Sequence, residues 1–75
     1  MTPNEVEALF AELISHQREK TLALAQRIDP SLSGDDLFQP HDHPVLRTHP
    51  LFQFEDGVLA GLLSARAALR ARRPD

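Results

Sequence analysis

Residues 51–73 read LFQFEDGVLAGLLSARAALRARR, and the interpretation of this stretch decides the fold. Leu51, Phe54, Val58, Leu62, Ala65 and Leu69 recur at steps of three or four, the spacing that lines one side of an α-helix; Phe52, Leu59 and Leu63 widen the stripe. Small residues run beside it at intervals of four: Gly57, Gly61 and Ala65, with Ala60, Ser64 and Ala68 alongside. One side of the helix therefore carries almost no side-chain bulk, and a second backbone can approach it closely. The pattern predicts a helix over about 51–73 that is built to be packed against.

Upstream, residues 29–50 (DPSLSGDDLFQPHDHPVLRTHP) hold four of the six prolines and three of the four histidines. A connection this long without internal structure is rare in compact domains, so short helical turns are expected within it. Ser33-Gly34-Asp35-Asp36 reads as a cap and a turn ending near Phe38, and Pro44-Val45-Leu46-Arg47 as another. Leu32, Leu37, Phe38, Val45 and Leu46 are the expected anchors of an ordered wrap. His49 is placed to cap the helix that Pro50 opens.

A second long helix is expected over about 3–28. Thr2 can cap it, Pro3 suits the first helical position, Glu5 sits near the site of a capping-box acid, and Asp29-Pro30 stops it. Val6, Leu9, Phe10, Leu13 and Ile14 form its apolar face, which resumes at Thr21, Leu24, Ala25 and Ile28. Between the two parts Ser15 to Lys20 are all polar. A continuous helix must bring Gln17 or His16 to the buried side, either as a hydrogen-bonded group at the edge of a solvated waist or as a polar layer that sets register.

Glu5, Glu7 and Glu12 load the start of the first helix; Arg66, Arg70, Arg72 and Arg73 load the end of the second. An antiparallel hairpin sets these acids beside these bases, although each distribution also suits its own helix dipole. The expected fold is therefore all-α: a single helical domain over 1–75, two long antiparallel helices joined by a long, Pro/His-rich, partly helical connector. Two helices meeting along one line cannot hide stripes this wide, and 75 residues with no Cys, Trp or Tyr build a core worth only about 3–5 kcal/mol. A homodimeric four-helix bundle follows, with Gly57, Ala60, Gly61, Ser64, Ala65 and Ala68 as the self-association residues. The competing explanations of that ladder are a close contact with the first helix and plain helix propensity.

His41, His43 and His49 are the candidate metal ligands. His41-Asp42-His43 offers imidazole and carboxylate donors that suit zinc, nickel or copper, and His16 with Glu12 a turn earlier could add more. Their spacing matches no established site, and proline-punctuated turns use histidines equally well as caps. No cofactor is expected. Nor is catalysis: the serines lack a nucleophile motif, no glycine-rich phosphate loop is present, and the adjacent acids Glu55 and Asp56 do not face the same way on a helix. The net charge of −3 and the lack of stacking aromatics argue against nucleic acid, leaving Arg66, Arg70 and Arg73 as a solvated helix end. No segment has the roughly 18 uncharged apolar residues of a membrane span, and MTPNEVEALF lacks the features of a secretion signal, so a soluble cytoplasmic protein is expected. The functional expectation is a non-enzymatic interaction, scaffold or regulatory module, a homodimer open to a further protein partner and without a small-molecule substrate. The alternative is a metal-binding or metal-responsive helical protein using the connector histidines.

Overall fold

A computed structural model of the chain describes residues 1–72. Arg73, placed at the end of the second long helix by its sequence, lies outside the described residues. Helix α1 spans Pro3–Ile28, α2 Pro44–Arg47 and α3 Pro50–Ala71; 3-10 turns at Asp35–Phe38 and Pro40–Asp42 occupy the connector, and no strand is present among the described residues.

Each boundary has a local cause. The Glu5 amide donates to Thr2 Oγ1 at 3.2 Å, and the Thr2 hydroxyl donates to Glu5 Oε1 at the same distance, satisfying an amide that the first turn leaves without a partner. At the other end Pro30 forbids helical geometry at Asp29, whose carboxylate instead accepts from the Ser31 amide and hydroxyl at 3.0 and 2.7 Å. Helix α3 begins at Pro50 behind His49, whose Nδ1 accepts from the Phe52 amide at 3.3 Å. The two turns expected within the connector form at Asp35–Phe38 and Pro44–Arg47; the Pro40–Asp42 turn adds a third.

The long helices run antiparallel. Arg70 Nε donates to Glu7 Oε1 at 2.6 Å near the open end, and Gln17 meets Glu55 near the middle. The connector closes the opposite end, where Leu24, Ala25, Leu32, Leu46 and Phe52 form the buried core, with Ile28 and Leu37 packed against it. Side-chain amides fasten the connector to both helices: Gln26 Nε2 donates to the Leu32 carbonyl at 3.1 Å and Gln53 Nε2 to the Leu46 carbonyl at 3.0 Å. Of the expected anchors, Leu32 and Leu46 are buried and Leu37 is half-buried, whereas Phe38 is 79% exposed and Val45 is also exposed.

The clustered core occupies one end; beyond it Ile14 is buried between the helices. The molecule measures 43 × 19 × 17 Å with a radius of gyration of 14.3 Å, against about 11 Å for a compact domain of this length. Among the described residues, the two helices have only each other towards the open end.

Candidate functional site

Helix α3 uses fewer of its apolar residues against α1 than its periodicity suggests. Phe52 and Glu55 are buried, and Leu59, Leu62, Leu63 and Arg66 are half-buried. Leu51, Val58 and Leu69 remain exposed, as does Phe54 at 59%. The helix is apolar around more than half its circumference, and the connector selects the seam by sealing Phe52, not Leu51, into the core. The line through residues 52, 55, 59, 62–63 and 66 then meets α1.

A polar layer crosses this seam. Gln17 Nε2 donates to the Glu55 backbone carbonyl at 2.9 Å and to Glu55 Oε2 at 3.1 Å. Lys20 Nζ lies 3.2 Å from the same oxygen, and Thr21, buried beneath, donates its hydroxyl to the Gln17 carbonyl at 2.7 Å. The polar waist of α1 thus turns Gln17 inward, while His16 stays exposed. What sequence reasoning missed is Glu55, read only as one of two adjacent acids and found 7% exposed. Its signal was indirect: it interrupts the stripe one turn after Phe52.

Opposite the connector, the hairpin has an open apolar face. At about 100° per residue, Leu9 and Leu13 of α1 are turned about 70–110° from the seam, and Leu51, Val58, Ala65 and Leu69 of α3 are turned through the same range in the same sense. On antiparallel helices equal rotations of one sense fall on the same side of the pair. Rotations of the other sense bring Leu22, Asp56 and Ala60 to the far side, where they line a groove of about 550 Å³ with Leu37 and Phe38 of the connector. The two faces are distinct: one is wrapped by the connector, the other is bare among the described residues.

All six ladder residues are exposed. A Cβ added at Gly57 or Gly61 would meet nothing within 4 Å, so the ladder is not spent on a close approach to α1. Gly57, Gly61 and Ala68 run along the edge of α3 away from α1, Ala65 belongs to the open face, and Ala60 borders the groove.

The candidate metal ligands have separate settings. His41 is exposed and its carbonyl accepts from Arg47 Nη1 at 3.5 Å. His43 Nε2 lies 3.6 Å from Asp36 Oδ1, and His49 is engaged as the α3 cap. No group of three or more His, Cys, Asp or Glu side chains is arranged to hold a metal ion among the described residues. Two connector carboxyls are held below their ordinary value of 3.8: Asp29 by the Ser31 hydroxyl and then its amide, and Asp36 chiefly by the Ser33 amide. These bonds tie the connector's turns.

No helix among the described residues is long and apolar enough to cross a membrane. No family model, curated protein or solved structure matches the chain.

Proposed function

We propose that the chain is a self-associating helical module of the interaction or scaffold type, two hairpins packing open face to open face as a homodimeric four-helix bundle. The observation that carries this reading is the open face, on which Leu9 and Leu13 of one helix stand beside Val58, Ala65 and Leu69 of the other, exposed with none of the described residues over them. The accessible surface is 5367 Å², whereas a folded monomer of 8.4 kDa presents about 4,600 Å². The excess, about 750 Å², is close to the roughly 800 Å² that each partner loses in an interface of standard size. The buried carboxylate, Glu55, is engaged by Gln17 and Lys20 within the seam.

Light scattering at micromolar concentration tests it. The expected mass is about twice 8.4 kDa, unchanged by zinc or nickel, and Val58→Glu is expected to return the protein to a helical monomer by burying an unpaired charge at the face. A wild-type monomer at these concentrations, or a mass that doubles only with metal, would overturn the proposal.

A further inference from the structure

We infer that the twofold axis of this dimer crosses the helices at right angles near His16 and Val58, so that each α1 packs antiparallel on its twin and each α3 on its twin. The inference rests on the dimer reading above and adds its geometry. Two twofold arrangements bring the open faces together: an axis along the helices, which seats α1 on the partner's α3, and an axis across them, which seats like on like. Charge separates the two.

On the open side of α1 and its outer edge lie Glu5, Glu12, Glu19, His16, Lys20 and Arg27, all exposed. Helix α3 brings no acid to this side: Glu55 is sealed in the seam and Asp56 borders the groove. An axis along the helices would therefore set the open side of α1 against a face of the partner's α3 that carries no acid, leaving Lys20 with its own Glu55 at 3.2 Å and no anion from that helix. With the axis across the helices at residue 16, residues whose numbers sum to about 32 face each other on α1 and its twin. Glu12 then stands opposite the partner's Lys20, and Glu5 opposite the partner's Arg27. This register also overlaps nearly the whole of Pro3–Ile28 with its twin.

Helix α3 fits the same axis independently. Gln17 and Lys20 both reach Glu55, and Arg70 reaches Glu7, which places residue 16 level with residues 56–61, about residue 58 at the middle, and α3 residues whose numbers sum to about 116 meet. Leu51 faces the partner's Ala65, and Phe54 falls between the partner's Gly61 and Leu62, so bulky side chains meet the small-residue ladder, as interdigitated packing requires. The ladder's lack of intrachain neighbours leaves room for this approach. Both connector grooves stay on outer surfaces, at opposite ends of the bundle, available to another protein.

The chain has no cysteine, so single labels report the geometry without competing sites. Ser15 and Ala71 are both exposed and turned away from the open face. Spin labels on Ala71→Cys are expected roughly 40 Å apart, from thirteen residues of helix on either side of the axis, while labels on Ser15→Cys lie within about 20 Å of each other. A short Ala71 distance in a protein of dimeric mass would overturn the inference and leave the dimer standing; monomeric mass would remove both. Glu12→Lys is expected to raise the dimer dissociation constant roughly threefold to tenfold at low salt, and an unchanged constant would overturn the proposed register.

Discussion

Replacing Gln17 by Leu tests how the hairpin is held in register. Gln17 Nε2 supplies two hydrogen bonds to Glu55, one to the backbone carbonyl and one to the carboxylate. In Gln17→Leu the carboxylate, whose side chain is 9% exposed, keeps Lys20 at 3.2 Å. That partner is 66% exposed and the bond is correspondingly weak, under about 1 kcal/mol. Leaving a buried charged acceptor short of donors costs about 1–3 kcal/mol, a large share of the roughly 3–5 kcal/mol available to a domain this small. The melting temperature is expected to fall on the order of 10 °C, at 4–8 °C per kcal/mol for a chain of this length. The assay is thermal unfolding followed by circular dichroism at one fixed protein concentration, because association shifts apparent stability by mass action. A second variant, Gln17→Leu with Glu55→Leu, removes donor and acceptor together and is expected to recover most of the loss, since an apolar pair can replace a buried polar pair at little cost. If Gln17→Leu melts at or above the wild-type temperature, Glu55 is not sealed and the polar layer carries no weight.

Two further outcomes follow from the same structure. Phe52→Ala removes the largest fully buried side chain, and at about 3–5 kcal/mol for such a truncation the variant is expected to lose most of its helical signal at 25 °C; a cooperative, near-wild-type melt would show that the connector-end core is not the seat of stability. The lowered carboxyls of Asp29 and Asp36 make the connector acid-sensitive: stability from these bonds is complete above the unfolded value, near 3.8, and is lost as pH falls through the lower folded values, where the unfolded chain binds more protons. The protection of amides in residues 31–39, taken relative to the unfolded chain at each pH, should fall over that window in the wild type and much less so in Asp36→Asn.

Which parts of this architecture were legible in sequence follows from how local their causes are. Caps, prolines and 3.6-residue periodicity act within a few residues, so the bounds of α1, the two expected connector turns and the His49 cap could be read directly. The direction of the hairpin was readable from charge, and Arg70 does reach Glu7. The seam of α3 was not. When a helix is apolar on most sides, periodicity cannot say which side meets its neighbour; that depends on which residue the connector pins, and Phe52 is pinned through contacts with Leu32 and Leu46 that no local pattern encodes. Glu55 was hidden for the same reason, because its donor lies 38 positions away. Phe38, read as an anchor from its hydrophobicity, stands outward on a 3-10 turn at the rim of the groove.

The polar layer and the bare face are connected through the register of the hairpin. A slide of α3 by one turn towards the open end would carry Glu55 to the level of Leu13 and Ile14, which offer no donor. The opposite slide would carry it to Thr21, whose hydroxyl is already given to the Gln17 carbonyl. The observed register sets both Gln17 and Lys20 on the buried carboxylate, and that register determines which residues of α3 stand level with Leu9 and Leu13. Had position 55 been leucine, the register would rest on the Phe52 core at the connector end, with no polar contact to fix the helices beyond it. The acid in the seam therefore costs some burial, but it holds one face in place, and a surface that must match its own copy can be built only on a hairpin that does not slide.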